Sequence, residues 1–149
     1  LSHKIILFAN GYYLANPRET NGVVRNPESS TTDPLIKEFS VTDQYAARLA
    51  GTYSISNRFS LIAATRVEGV PSSDLIGGDK GFRRPGYIIS GEPGLMYMDQ
   101  KITAILSIPT ALYRNRTKSY FDKQDPKGLR HGDAAFADYL VNINLAYRF

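Results

Sequence analysis

The sequence contains no cysteine, no tryptophan and only two histidines. Missing thiols exclude disulfide frameworks, thiolate zinc sites and cysteine nucleophiles together, and they leave the redox compartment open. Long apolar runs are missing too. Stretches such as Ile5 to Ala9 and Leu61 to Ala64 fall far short of the roughly 18 to 20 residues that a membrane helix needs. A net charge of +4 is spread along the chain without a basic patch, so nucleic acid is not expected as a partner. Aromatic residues, in contrast, are plentiful: ten Tyr and seven Phe in 149 residues, with 21% of the chain charged. That is the composition of a folded chain, with length for one domain.

Periodicity marks six segments with strand character: about Lys4 to Leu14, Gln44 to Ile55, Phe59 to Val70, Tyr87 to Met98, Lys101 to Tyr113 and Ala137 to Phe149. No segment carries a convincing helical period. The last is the clearest. Tyr139, Val141, Ile143, Leu145, Tyr147 and Phe149 share one face, and Asp138, Leu140, Asn142, Asn144, Ala146 and Arg148 share the other. The apolar row extends roughly 33 Å along a strand, or about 25 Å of height at a barrel-like tilt, which matches the lipid band of an outer-membrane barrel. In the second and third segments the charged residues again keep to one face.

The connections alternate in length. Ser56-Asn57-Arg58 and Asp99-Gln100 are tight, whereas 15–43, 71–86 and 114–136 are long and rich in Pro, Gly, Asn and charge. Strands running up and down would put every long loop on one rim and every short turn on the other, as in transmembrane barrels. Aromatics collect at strand ends. Tyr53, Phe59, Tyr97, Tyr147 and Phe149 lie near the short-turn rim, with Tyr45, Tyr87 and Tyr139 toward the long-loop rim. Two such belts suit a bilayer with headgroups at both levels.

The run Tyr139 to Phe149, ending Ala146-Tyr147-Arg148-Phe149, resembles the C-terminal recognition strand of bacterial outer-membrane β-barrels. Further stretches widen the likeness: Arg66-Val67-Glu68-Gly69-Val70-Pro71, Asp74 to Gly78, Gly81 to Tyr87, Tyr113 to Thr117 and His131 to Tyr139. Together they resemble the C-terminal half of poorly characterised Bacteroidota-type outer-membrane barrels, commonly described only as transporters or outer-membrane proteins. The resemblance implies a location in the bacterial outer membrane with the C-terminus toward the periplasm. It also implies partners: outer-membrane lipid, the barrel-assembly machinery that reads the terminal strand, and other outer-membrane subunits. It implies no cofactor.

Candidate chemistry begins with inward charge. Arg48, Arg66 and Glu68 fall on the polar face, Glu92 joins them if Tyr87, Ile89, Leu95 and Tyr97 point outward, and Asn142 and Asn144 line the last strand. Such a lumen can select a polar solute; the same residues also serve as a ladder of paired ions filling a narrow barrel. The glycine-rich loop with Asp74, Asp79, Lys80, Arg83 and Arg84 lacks both a phosphate-loop context and calcium-loop spacing, and reads as a packed external loop. His131-Gly132-Asp133 raises the question of a lipid-modifying hydrolase. Only the distant Ser72, Ser73 or Ser119 offers a hydroxyl, so no catalytic residue is assigned. His3, at the far end of the chain, gives His131 no metal-ligand partner. Pro93 and Pro109 fall on nearly opposite positions of one hairpin and are expected to produce a kink or bulge.

The sequence therefore predicts an all-β, antiparallel, up-and-down transmembrane β-barrel. Six strands fall short of the eight of the smallest single-chain barrels, so residues 1–149 are expected to be one incomplete segment of a larger barrel, with further strands upstream of Leu1. The expected function is a passive channel or transporter for small solutes, or a barrel subunit of an outer-membrane complex, and not an enzyme. Two alternatives remain, an outer-membrane lipid-modifying hydrolase and a soluble β-sandwich or ligand-binding barrel.

Overall fold

A computed structural model describes residues 4–25, 37–131 and 136–149. Seven strands form one antiparallel sheet: β1 (Ile5–Leu14), β4 (Gln44–Ser54), β5 (Phe59–Val70), β6 (Gly86–Met98), β7 (Ile102–Ser107), β8 (Thr110–Arg116) and β9 (Asn142–Tyr147). From β1 to β7 each strand of this order pairs with the next; β8 continues beside β6 beyond β7, and β9 pairs with β7, so the sheet is an up-and-down meander. It curls into a half-barrel whose two edges are β1 and β9. A separate small hairpin, β2 (Thr20–Val24) with β3 (Glu38–Ser40), rises within the first long connection. The helix α1 (Tyr120–Lys123) forms a single turn in the third.

The six expected segments correspond to these strands, with one division. The fifth separates into β7 and β8 around Ile108 and Pro109, both pairing with β6. Proline has no N–H for the ladder, so the ribbon breaks there. Pro93 does not break β6. It pairs in register with Ala63 of β5, and its carbonyl accepts the Ile108 N–H at 3.0 Å. A register shift follows in β8 between the partners of Ile89 and Ser90, placing a bulge at Leu112. The last strand is shorter than its pattern, but Tyr139 bridges Thr110 and the Arg148 N–H donates to Lys101, so pairing extends beyond β9 at both ends.

Register assigns the two faces. Arg48 lies opposite Asn10 and Arg66, Glu92 opposite Ala64, Gly94 opposite Ser107, and Ser107 opposite Asn142. These positions share the concave face, which buries Ala50, Thr52, Ser60, Ile62, Ile88, Ser90 and Ser107. Small residues are required for so tight a curl. A Cβ on Gly94 would stand 2.8 Å from the Leu106 carbonyl and 3.0 Å from the Ser107 Cβ. On the convex face Tyr45 leans over Gly69, where a Cβ would lie 2.8 Å from the tyrosine hydroxyl. Aromatic cover of a strand glycine is a known way to hold twisted sheets together.

Candidate functional site

Charge is segregated between the two faces. Every charged residue of the main sheet's strands, Arg48, Arg66, Glu68, Glu92, Arg114 and Arg116, is concave. Convex positions hold Leu, Ile, Val, Ala, Gly, Tyr, Phe, Thr, Pro and Asn without a single Asp, Glu, Lys or Arg. The convex apolar residues stand open: Ile143 is 78% exposed, Leu145 73% and Leu7 63%. A monomeric soluble protein rarely leaves so continuous an apolar surface uncovered.

The concave cluster is built around Glu92. Its carboxylate is 4% exposed and accepts hydrogen bonds from Arg48 Nε at 2.8 Å, Arg48 Nη2 at 3.0 Å and Ser107 Oγ at 2.7 Å. Arg48 and Glu92 are on strands separated by β5. The register places Ala64 directly between Ala50 and Glu92, and so small a side chain leaves room for the guanidinium to cross. Arg48 also lies 5.2 Å from the Phe8 ring centre of β1. Arg66, directly opposite Arg48, takes Glu68 from its own strand. Opposite charges therefore do not face each other on adjacent strands. Two arginines face each other instead, and each is neutralised elsewhere, which removes the repulsion that facing like charges would create.

Beside this cluster a groove of about 630 Å³ is lined by Arg48, Arg66, Glu92, Ser107, Asn142 and Asn144, among others. The structure thus gathers five of the six sequence-nominated inner residues around one groove, with Glu68 attached through Arg66. On the terminal strand Ile143, Leu145 and Tyr147 take convex positions, and Phe149 stacks edge-on against Tyr147 at 5.3 Å. Tyr139 and Val141 lie just before β9 and are exposed.

Sequence reasoning missed how the long loops are fastened. Asp43, fully buried, accepts hydrogen bonds from Tyr13 Oη (2.7 Å), the Asn16 N–H (2.6 Å) and the Leu75 N–H (2.9 Å). Its own N–H donates to Asp74, which is clasped by Arg83 through two bonds at 3.0 and 2.8 Å. Arg83 also donates to Ser40 Oγ and the Gly78 carbonyl. Burial alone would push the Asp43 carboxyl up, but the bonds from Asn16, Leu75 and Tyr13 and the Arg83 charge hold it below the usual carboxylate range. The loop expected from Asp74 to Gly86 is thus a packed one, and Asp74 and Arg83 are its fastening. No local signal marks Asp43, because its partners lie far from it in sequence.

Of the residues weighed for catalysis or metal binding, His3, Gly132 and Asp133 lie outside the described residues. Ser119 and His131 do border one cavity with Asp122. The Ser119 hydroxyl, however, is engaged with Asp122 Oδ2 at 2.8 Å in the capping box that starts α1, a structural use of that side chain. Comparison with protein-family models, with curated proteins and with solved structures returned no match.

Proposed function

We propose that this chain forms part of the wall of a bacterial outer-membrane β-barrel and that its concave face lines a passive route for small polar solutes. The observation that carries the reading is the segregation of charge. A convex surface free of charge over seven strands faces lipid without penalty, while all the strand charges turn toward the interior. Long loops on one rim, short turns on the other, and aromatics such as the Phe59–Tyr97 and Tyr147–Phe149 pairs at the short-turn rim support the same placement.

Lipid offers no hydrogen-bond partner to a bare strand, so the outer edges of β1 and β9 require further strands. Because β7 and β8 together fill one place beside β6, six places in the wall are occupied and closing at the smallest known size takes about two more; we assign them to the same polypeptide. The terminal strand, with Phe149 at its end, is the segment that the barrel-assembly machinery would engage.

Two measurements test the reading. The chain should stay in washed membranes and require detergent for release; extraction into plain buffer would select the soluble alternative. Reconstituted in planar bilayers together with the strands that close the wall, it should conduct ions, with a conductance that changes in Arg66→Gln and Glu68→Gln. Membrane residence without any conductance would instead favour a barrel that scaffolds an outer-membrane complex, the reading that the closed Arg48–Glu92 pair supports.

A further inference from the structure

The three long connections meet above the rim around a second cavity, of about 270 Å³, separate from the concave groove. Arg25 comes from the end of β2, Phe82, Arg83 and Arg84 from the approach to β6, and Phe121, Arg130 and His131 from the segment around α1. We propose that this cavity binds a phosphate-class oxyanion: a phosphomonoester, a diphosphate or a phosphorylated headgroup. The inference does not depend on the pore reading, because none of these residues lies in the main sheet.

The arginines are held in a particular way. The Arg25 guanidinium sits 3.8 Å from the centre of the Phe82 ring, Arg84 sits 5.7 Å from the same ring, and Arg130 sits 3.8 Å from Phe121. Stacking on a ring occupies the face of a guanidinium and leaves its N–H donors free along the edge, the geometry that suits a tetrahedral oxyanion. Among the described residues, none of these three arginines forms an ion pair, although Arg130 Nη1 donates to the Phe121 carbonyl at 3.4 Å. The carboxylate on the cavity wall, Asp122, has Oδ2 engaged by both the N–H and the hydroxyl of Ser119. With Asp122 on the wall and Asp125 acting on Arg130 the counter-charge is partial, and three guanidiniums lining one cavity still favour an anion between them.

An orphan group belongs to a residue of the same cavity. Among the described residues, the buried side-chain polar atoms that lack a partner are Arg83 Nε and Thr117 Oγ1. Arg83 lines the cavity, whereas Thr117, whose N–H donates to the Pro85 carbonyl, is not one of its lining residues. Buried donors without partners are uncommon and call for a missing water or ion. Size limits the occupant further. The cavity has the volume of about nine liquid waters, and it is below the roughly 300 to 1,000 Å³ of a site that encloses a whole small molecule. It fits one or two phosphate groups with some hydration, while the remainder of a larger ligand would stay outside.

The test uses the full chain in detergent, purified without phosphate and titrated calorimetrically with inorganic diphosphate. Saturable binding is expected, weakening at least tenfold in Arg25→Ala and in Arg84→Ala, recovering in part in Arg84→Lys, and unchanged in Arg58→Ala at the opposite rim. Arg130→Ala, on an exposed segment, provides a second reading should loss of Arg25 disturb the loops. Repeating the titration in micelles doped with phosphatidylglycerol or phosphatidylcholine separates the sources. Competition by the anionic lipid alone identifies a headgroup as an occupant, and absence of competition identifies a soluble phosphate ester. No saturable binding to wild type, or equal losses in Arg58→Ala, would overturn the proposal.

Discussion

Replacing Glu92 by Gln isolates the charge at the centre of the concave face. The side chain keeps its shape and its bond from Ser107, but the two bonds from Arg48 lose their ionic partner. Arg48 is 21% exposed and Glu92 only 4%, so this is not a surface pair. Breaking a fully buried pair costs roughly 3 to 5 kcal/mol, whereas exposed pairs are worth about 0 to 1 kcal/mol. The adjoining groove admits water to Arg48, and hydration of the stranded guanidinium reduces the penalty to about 2 kcal/mol by interpolation between these limits. Arg48→Met should cost more, because the carboxylate left behind is the better buried of the two. The double variant should then be less destabilised than the sum of the singles, with a coupling of about 2 kcal/mol. Reversible urea unfolding of all four proteins in lipid vesicles reads the cycle. A coupling below about 0.5 kcal/mol would mean that the two strands do not hold these groups together, and the geometry of the site would be wrong.

Acid should release the loops before the sheet. Asp43 has its pKa lowered by folding, so its stabilisation is complete above about pH 4, the ordinary carboxyl value, and is lost as pH falls through the lowered folded value. Amide exchange at Leu75 and Asn16, corrected for intrinsic rates, should accelerate as the pH falls below the ordinary carboxyl range while strand amides stay protected; protection unchanged with acid would remove Asp43 from this role. Ile143→Arg puts a cation on the convex face and should cost about 2 to 4 kcal/mol in a bilayer if that face meets lipid. A change within about 0.5 kcal/mol is the result for a water-facing site. Gly69→Ala brings a Cβ within 2.8 Å of Tyr45 Oη and 2.5 Å of the Gly86 carbonyl, and should destabilise by about 1 to 3 kcal/mol, with partial relief from Tyr45→Phe. Thermal unfolding checks it, and a neutral variant would contradict the close approach.

What could be read from the sequence follows from the range of the signal. Alternation in Gln44–Ser54 and Phe59–Val70 comes from neighbours two residues apart, so strands, faces and the concave placement of Arg48, Arg66 and Glu68 were legible. Glu92 was legible only on condition of its strand's phase, which Pro93 left open until the pairing of Pro93 with Ala63 showed an unbroken β6. The partners of these charges were not legible. Adjacent-strand pairing suggested Arg against Glu, but the Arg48–Glu92 contact spans two strand spacings and depends on Ala64 being small. The hairpin β2–β3 and the Asp43–Asp74–Arg83 fastening were hidden for the same reason: their contacts join segments up to 43 residues apart, where no periodicity operates.

The two edges of the half-barrel make unequal demands. On β9 the inner face is polar, with Asn142 and Asn144 beside the groove, so a neighbouring strand need supply only the missing hydrogen bonds. On β1 the concave positions are Ile6, Phe8, Asn10, Tyr12 and Leu14, and Ile6 and Tyr12 are 61% and 58% exposed. Its convex positions are apolar as well, so, apart from Asn10 opposite Arg48, β1 lacks the polar face that every other long strand of the sheet turns inward. A strand apolar on both sides is the pattern of one covered on both sides. A lipid-facing wall would cover the convex row of β1 and leave the concave row open to water. On the proposed barrel reading, the wall must therefore narrow or fill against β1, by strands beyond it or by a segment inside it, and a water-filled lumen would lie toward Arg48, Glu92 and the asparagines of β9.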